Sequence, residues 1–172
     1  YYAGRRLGCH AHSSPVDLKF SIQTSCNAYY CKGFKRMMDK YPTTEEGYQK
    51  WREHLSNFGL GSKLQVDMTS EINGFVPKTT YYDKFYGQHR WNGHTTISLA
   101  IGQGELGVTP VQMANLSAIL ANRGWFYTPH IIKEIDGQPI TDSTYTEKHF
   151  TGIDVEHFDQ VVDGMFRVVE SG

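Results

Sequence analysis

Apolar residues recur at helical spacing in the first part of the chain and predict two helices there. The first is expected over residues 15–24, because Ser14 precedes a proline at the first helical position. The side chain of Asp17, three residues after Ser14, could also bond back to the backbone at the start of the helix. The second begins after Asn27 and ends before Pro42, which lacks the N–H that a helix interior needs. Its apolar stripe consists of Tyr30, Phe34, Met37 and Tyr41.

A third helix is predicted between Thr43 and Gly59. Thr43 and Glu46 form a capping-box pattern, and a glycine is a common helix stop. The apolar positions that recur at helical spacing here are Tyr48, Trp51, Leu55 and Phe58. Residues 61–94 show no clean period, so we expect an extended loop region. Its aromatic residues between positions 81 and 91 fit a partner surface or a substrate groove, and ordinary surface tyrosines of a large loop are the alternative.

The strongest helix start in the chain is Thr109-Pro110, where Gln112 completes the capping pattern. The helix is expected to run to Asn122 and to end before Gly124. Its side chains are apolar nearly all round, which predicts a helix buried on every face. These side chains are Val111, Met113, Ala114, Leu116, Ala118, Ile119, Leu120 and Ala121.

The remaining chain predicts a hairpin and a last helix. Residues 126–135 are typical of a strand, and Asp136-Gly137 is a turn that folds it back onto residues 138–141. A helix is predicted after Asp154. The side chains expected to face inward are Phe158, Val161, Val162, Met165 and Val169. The predicted fold class is therefore α+β and mainly helical, with no internal repeat or domain linker.

Composition narrows the class of protein. The 172 residues suit one domain, and the net charge of −1 gives no reason to expect a nucleic-acid partner. No apolar stretch approaches the roughly 20 residues needed to cross a bilayer, so we expect the segment itself to be soluble. Cys9, Cys26 and Cys31 form an odd set, so at least one of them lies outside any internal disulfide.

A glycine-rich run raises the possibility of a dinucleotide site. Residues 102–107 match G-x-G-x-x-G and follow a strand-like segment over residues 95–101. However, the helix start at Thr109 falls after the third glycine, and no carboxylate occurs about 20 residues further on. We interpret these glycines as a structural turn, and a dinucleotide-binding domain is the less favoured alternative.

A second group of residues has the chemistry of a metal site. Cys9 and His12, spaced as Cys-x-x-His, could supply two ligands of a structural zinc, and Cys26 a third. A closed zinc site needs a fourth ligand, which would come from further upstream. The alternative is that Cys26 is simply a small buried residue and that His10 and His12 are loop residues. No other cofactor is expected.

The triplet Ser25-Cys26-Asn27 falls between the first two predicted helices and matches S-x-N, one of three motifs of penicillin-reactive serine enzymes. Taken alone the triplet is weak evidence, because serine and asparagine are common at helix caps. The other two motifs, S-x-x-K and K-T-G, do not occur. The nearest approach to the latter is Lys78-Thr79-Thr80, which lacks the glycine.

A much longer stretch supports the same chemistry. Residues 97–124, ISLAIGQGELGVTPVQMANLSAILANRG, resemble the stretch between S-x-N and K-T-G in class B penicillin-binding proteins. Residues 127–133 continue the resemblance. The opening residues 1–7 and the segment up to S-x-N look like the elongation-type member, penicillin-binding protein 2. The implied fold is that of the penicillin-binding transpeptidases and serine β-lactamases.

The resemblance implies that residues 1–172 are an interior segment of a single transpeptidase domain, with S-x-x-K upstream and K-T-G downstream. The implied activity is a peptidoglycan D,D-transpeptidase that works through a serine acyl-enzyme and is acylated by β-lactams. Ser25 would relay a proton between the S-x-x-K lysine and the leaving amine. Asn27 would orient that lysine and bind the substrate's peptide carbonyl. Without the nucleophile, the segment alone is expected to be inactive.

The resemblance also implies a location and partners. The parent protein would be anchored in the bacterial inner membrane, with this segment on the periplasmic side. Its partners would be peptidoglycan stem peptides and other proteins of cell elongation. Some elongation-type relatives are thought to hold a metal near the Cys9 region. The non-catalytic alternative is a docking module for the elongation machinery, whose surface would include Tyr82, Phe85 and Tyr86.

Overall fold

The computed structural model describes residues 8–171, so the predicted resemblance over residues 1–7 lies outside the described part. These residues form two compact units. The first comprises residues 8–53, 77–106 and 159–171, and the second comprises residues 54–76 and 107–158. Within the described residues, no helix is both long and apolar enough to cross a membrane.

The chain contains seven α-helices, a short 3₁₀-helix and four short strands over the described residues. The helices are α1 (Leu18–Gln23), α2 (Asn27–Met38), α3 (Thr44–Asn57), α4 (Thr79–Tyr86), α5 (Pro110–Ala121), α6 (Ser143–Thr146) and α7 (Val155–Ser171). The 3₁₀-helix is Ile97–Ile101, and the strands are β1 (Trp125–Phe126), β2 (Glu134–Ile135), β3 (Gln138–Pro139) and β4 (His149–Phe150). Antiparallel pairs form between β1 and β4 and between β2 and β3. This is the predicted α+β, mainly helical class.

The first helices differ from their predicted bounds. Asp17, not Ser14, is the N-cap of α1, because its carboxylate accepts the N–H of Phe20 at 2.8 Å. Helix α1 therefore begins three residues later than predicted. Helix α2 ends at Met38, before the predicted stop at Pro42. Its buried side chains are Cys31, Phe34 and Met38.

The third predicted helix is confirmed. Helix α3 begins at Thr44, and the Thr43 hydroxyl accepts the N–H of Glu46 at 3.2 Å. Gly59 has φ +76, a left-handed conformation that glycine adopts without a steric penalty. A side chain at this position would collide with Leu64. The chain therefore turns sharply after α3, as the predicted glycine stop required.

Two predictions between residues 61 and 101 were wrong. The expected loop contains α4, a helix of eight residues, four of them aromatic, of which only Tyr82 is buried. Aromatic residues have modest helix propensity, so packing of that one ring decides the conformation. The strand-like residues before the glycine turn form a 3₁₀-helix. Thr96, Ile97 and Leu99 are buried there, a spacing that does not alternate as a strand would.

The core of the first unit is built around aromatic rings. Tyr48 is fully buried, and its ring meets Tyr82 edge-on at 5.5 Å between centroids and Trp91 edge-on at 5.4 Å. Its hydroxyl donates to the carbonyl of Pro77 at 3.0 Å. The rest of this cluster comes from α2 and the 3₁₀-helix, namely Cys31, Phe34, Met38, Ile97 and Leu99. This cluster therefore joins four separate stretches of the chain, namely α2, α3, α4 and residues 91–99.

The second unit is organised around α5. Its predicted start is confirmed, because the Thr109 hydroxyl accepts the N–H of Gln112 and the Gln112 side chain accepts the N–H of Thr109. The prediction that α5 is buried on every face was wrong. The buried side chains are Gln112, Asn115 and Ile119, whereas Met113 and the alanines of the opposite face are exposed. An all-apolar helix carries no periodic signal, and here a polar pair faces inward.

The C-terminal predictions are confirmed in part. Strands β2 and β3 form the predicted hairpin around Asp136-Gly137. The prediction of one long strand over residues 126–135 was wrong, because only its two ends are strands, Phe126 in β1 and Glu134–Ile135 in β2. Phe126 packs with Leu64, Ile119 and Phe158. In α7, Phe158 is buried, but Val169 is 87% exposed and Met165 is 43% exposed, so both were wrongly predicted to face inward.

The Gln112 side chain ties two loop segments to α5, and its removal should destabilise the second unit. Its amide nitrogen donates to the carbonyls of Ser62 at 2.8 Å and Asn73 at 3.0 Å. Gln112→Ala leaves these carbonyls and one capping N–H without a partner. We expect a loss of about 2–4 kcal/mol in the free energy of unfolding, measured by urea denaturation. The exposed Gln160→Ala in α7 is the control and should change stability by less than about 0.5 kcal/mol.

The buried tyrosines make the first unit sensitive to base. Burial raises the pKa of Tyr48, and burial together with the nearby Tyr48 and Glu105 raises the pKa of Tyr82. Because both folded pKa values exceed the unfolded value of about 10, their stabilisation is complete below that pH and is lost as pH rises above it. Each tyrosine should remove about 1.4 kcal/mol per pH unit above pH 10.

Urea denaturation of the chain between pH 9 and pH 11 measures this slope. Tyr82→Phe should remove one tyrosine's share of it. Tyr127→Phe, at an exposed position, should retain the wild-type slope. Equal slopes in wild type and Tyr82→Phe would contradict the assignment.

Candidate active site

The S-x-N triplet lies in a tight break between α1 and α2. The N–H of Ser25 donates to the carbonyl of Ile22 at 3.2 Å, and the N–H of Cys26 donates to that of Ser21 at 2.9 Å. Ser25 has φ +52, a left-handed conformation that costs a non-glycine residue roughly 1–2 kcal/mol. Its side chain is exposed. Strain of this kind persists only where the surrounding structure enforces it, and it is concentrated at functional positions.

Neither Ser25 nor Asn27 caps a helix. The N-cap of α2 is Cys26, which is buried and makes no side-chain capping bond. Asn27 is the first residue of α2, and its amide nitrogen donates to the carbonyl of Gly8 at 2.8 Å. The triplet does lie where α1 ends and α2 begins, but neither Ser25 nor Asn27 makes the side-chain capping bond that the alternative expected.

The break is held by packing on both sides. The Ser21 hydroxyl is buried in α1 and donates to the carbonyl of Leu18 at 2.6 Å. Tyr30 of α2 lies 3.5 Å from the same hydroxyl, and burial raises its pKa. Helix α2 also packs along the 3₁₀-helix, where the Cys31 sulfur lies 4.0 Å from the carbonyl of Ile97. The triplet thus sits on a rigid support.

The predicted metal-binding residues Cys9, His12 and Cys26 are brought together. Their three ligand atoms all lie within 4.8 Å of one another, and the two sulfur atoms are 3.9 Å apart. His12 Nδ1 lies 2.8 Å from the carbonyl of Ser13, a contact in which the nitrogen must be the donor. This leaves Nε2 as the acceptor, and it is buried with no hydrogen-bond partner among the described residues. These residues fit a zinc ion, for which three of four ligands are then present.

The glycine-rich run lacks the geometry of a dinucleotide site. It follows a 3₁₀-helix instead of a strand, and α5 begins at Pro110, after the last glycine. Gly102 and Gly104 have φ values of +69 and +76. A side chain at Gly104 would collide with the hydroxyl of Ser98. The run is a structural turn, which Tyr82 ties to the aromatic core by donating to the Glu105 carboxylate at 3.1 Å.

The aromatic residues proposed for docking do not share one environment. Tyr82 is fully buried and cannot contribute to a surface, which corrects that part of the docking alternative. Phe85 and Tyr86 are 63% and 51% exposed.

Two carboxylates in the second unit have structural roles that no sequence signal indicated. Glu71 accepts the N–H groups of Leu64, Gln65 and Val66. Asp67 accepts the N–H groups of residues 131 and 132, and these bonds lower its pKa. The Asp67 contacts join residues more than sixty positions apart, a pairing that no local pattern reveals.

The sequence matches the penicillin-binding protein transpeptidase domain over residues 2–172. The chain therefore belongs to the penicillin-binding protein transpeptidase family, and the predicted family is confirmed.

Within the family, the chain is similar to proteins of the penicillin-binding protein 2 type. It is 29% identical over 160 residues to the peptidoglycan D,D-transpeptidase MrdA of Acinetobacter baumannii, covering 91% of this chain and 22% of that protein. It is 30% identical over 122 residues to MrdA of Haemophilus influenzae, covering 71% of this chain and 17% of that protein. The chain thus spans only about a fifth of the relatives' length.

Solved structures give the same result for the fold. The crystal structure of Pseudomonas aeruginosa penicillin-binding protein 2 in complex with WCK 5153 aligns with a TM-score of 0.74 and 32% identity, over 91% of this chain and 32% of that one. Helicobacter pylori penicillin-binding protein 2 in complex with MreC aligns with a TM-score of 0.67 and 24% identity, over 91% of this chain and 26% of that one. The predicted transpeptidase fold is confirmed.

Proposed function

We propose that residues 1–172 are an interior segment of a peptidoglycan D,D-transpeptidase and that they supply its S-x-N motif. The observation that carries this proposal is the family match over residues 2–172, together with the strained, exposed Ser25 in the break between α1 and α2. The S-x-x-K and K-T-G motifs would come from other parts of the domain. The similar proteins named MrdA support peptidoglycan D,D-transpeptidation as the activity of the whole protein.

The proposed reaction has two acyl transfers. A serine of S-x-x-K attacks the carbonyl of the D-alanyl-D-alanine bond, the bond to the terminal D-alanine breaks, and an ester forms. The amine of a second stem peptide then attacks this ester, which releases the serine and completes the cross-link. In each step one proton leaves the nucleophile and one reaches the leaving group. The exposed Ser25 hydroxyl can relay this proton, because a hydroxyl group both donates and accepts hydrogen bonds at the same oxygen.

Asn27 has a positioning and binding role in this proposal. Its side chain offers two N–H donors and one carbonyl acceptor. One donor is engaged by the carbonyl of Gly8. The remaining groups can hold the amine of the S-x-x-K lysine and the peptide carbonyl of the substrate. Since Asn27 begins a helix of twelve residues packed on the 3₁₀-helix, its backbone position is fixed before substrate binds.

The same proposal includes a location and partners for the whole protein. The parent would be anchored in the inner membrane outside this segment, with the transpeptidase domain in the periplasm. The H. pylori protein solved as a complex with MreC supports partners from the cell-elongation machinery. β-Lactams would acylate the same serine that attacks the stem peptide.

Mass mapping of benzylpenicillin adducts on the full-length protein tests the function. We expect one adduct, on a serine outside residues 1–172. Asn27→Ala and Ser25→Ala should slow its formation by about 10²-fold or more, because each removes a group that handles the proton or orients the lysine. Asn73→Ala, at an exposed position of the second unit, is the control and should react at the wild-type rate.

Two results would contradict the proposal. An adduct on a serine within residues 1–172 would place the nucleophile in this segment. The absence of any adduct on the full-length protein would favour the non-catalytic docking module.

We infer further that Cys9, His12 and Cys26 hold a zinc ion whose fourth ligand lies elsewhere in the whole protein. The support is the cluster of ligand atoms and the buried Nε2 of His12, which has no hydrogen-bond partner within residues 8–171. Zinc would supply no reacting group and would act as a structural link. Because Cys26 is the central residue of S-x-N, the link would tie the segment around Cys9 directly to the break.

The zinc content of the full-length protein, measured by elemental mass spectrometry, tests this site. We expect one zinc per chain in the wild type and a much lower zinc content in Cys9→Ser and His12→Ala, because each of these variants removes a ligand. The matched control is His10→Ala, the exposed neighbouring histidine, which should retain the metal. A wild type without zinc, or loss of zinc in His10→Ala but not in His12→Ala, would contradict the assignment.

A further inference from the structure

Helix α1 immediately precedes the S-x-N triplet but is too short to hold its own position. It has six residues, and isolated helices shorter than about 12 residues are marginal in water. Its position therefore depends on what it packs against. Within the first unit, α1 contacts α2 on one side and the residues around Gly164 of α7 on the other.

Gly164 lets α7 approach α1 more closely than any other residue would allow. A Cβ atom at this position would lie 2.8 Å from Ile22 Cδ1, 3.0 Å from Ile22 Cβ and 3.1 Å from the carbonyl oxygen of Lys19. Glycine inside a helix costs roughly 1 kcal/mol relative to alanine, so this position is unfavourable for the helix itself. The close approach to Ile22 accounts for the glycine.

Charged side chains also pair across the contact between α1 and α7. The Lys19 ammonium lies 2.7 Å from the Asp163 carboxylate, which also accepts a bond from Arg167 at 3.2 Å. Lys19 belongs to α1, whereas Asp163 and Arg167 are on α7 next to Gly164. The ion pair orients α1 along α7, and Gly164 sets the distance between them.

Ile22 connects this contact to the candidate site. Its side chain is the part of α1 nearest to Gly164, and its carbonyl accepts the N–H of Ser25 at 3.2 Å. The preceding residue, Ser21, accepts the N–H of Cys26 at 2.9 Å. A displacement of Ile22 is therefore passed to Ser25 through one hydrogen bond.

We propose that Gly164 and Asp163 of α7 are positioning residues for the S-x-N triplet and act through Ile22 and Lys19 of α1. This inference rests on the proposed transpeptidase function. Neither residue touches the reacting groups. A side chain at position 164 pushes α1 away by a few tenths of an ångström and moves the Ser25 hydroxyl with it. Misplacement of a reacting group by about 1 Å is enough to slow a reaction by about 10²-fold.

Acylation of the full-length protein by benzylpenicillin separates positioning from folding. Two quantities are measured, the second-order rate constant and the fraction of molecules labelled at saturation. We expect Gly164→Ala to lower the rate constant by roughly tenfold and Gly164→Val to lower it further, with the labelled fraction unchanged. Asp163→Asn should lower it by a smaller factor, since it keeps the shape of the side chain and removes the charge.

The control is Gly33→Ala in α2, another glycine inside a helix of the first unit. A Cβ there meets no atom within 4 Å, so the rate constant should stay at the wild-type value. Ile22→Val combined with Gly164→Ala should recover part of the lost rate, because valine lacks the Cδ1 atom nearest to the new methyl group. Recovery is partial because Ile22 Cβ remains close.

The outcomes are distinct. A wild-type rate constant in Gly164→Ala would overturn the inference and leave the proposed function intact. A reduced labelled fraction with an unchanged rate constant would also overturn it, because Gly164 would then serve folding alone. If the wild type itself is not acylated, the proposed function fails first.

Discussion

The packing of Tyr48 against Tyr82 and Trp91 is the interaction on which the first unit depends. The three rings come from α3, α4 and the segment before the 3₁₀-helix. Tyr48 meets the other two edge-on at 5.5 and 5.4 Å between centroids, and Tyr82 and Trp91 are tilted against each other at 5.1 Å. Trp51 extends the cluster to Phe34 of α2 at 5.4 Å. Rings of this size bury a large apolar area and have preferred mutual angles, so they specify one arrangement of the helices. Helix α2, which begins with Asn27, takes its position from this cluster.

The candidate site is constrained from several directions at once. The aromatic cluster fixes α2, and α7 fixes α1, so the connection between them has little freedom. Ser25 occupies a left-handed conformation under this constraint, and its strain is compensated by the packing of the helices on both sides. The side chains of Cys9 and His12 also lie next to Cys26, the middle residue of the triplet. A short motif is thus held by residues distributed over most of the first unit.

In the second unit, polar side chains hold the loop segments in place, whereas the core of the first unit is built from aromatic rings. Gln112 closes the cap of α5 and also binds two loop carbonyls, while Glu71 and Asp67 each bind backbone N–H groups of the loops. Irregular segments contain many backbone groups without partners in a helix or sheet, and buried polar groups of this kind must be paired. Side chains with two acceptor or donor positions serve several such groups at once.

The sequence by itself determined the family, the helical character and the local helix signals. The start of α5 at Thr109-Pro110, the end of α3 at Gly59 and the turn at Asp136-Gly137 depend on neighbouring residues alone, and all three were predicted correctly. The long match over residues 97–124 identified the family because it preserves order and spacing, which composition cannot do. Ser25 and Asn27 were found as candidates through the S-x-N motif, and Cys9, His12 and Cys26 through their ligand chemistry and spacing.

Only the tertiary structure decided which faces are buried and which conformation the ambiguous segments adopt. Helix α4 places Tyr82 in the aromatic core, and residues 97–101 form a 3₁₀-helix that places Ile97 and Leu99 in the same core. In α5 and α7 the apolar pattern did not show which side chains face inward. Burial and close approach, such as Gly164 against Ile22, depend on residues far apart in the chain. Local sequence patterns contain no information about such partners, so packing alone sets them.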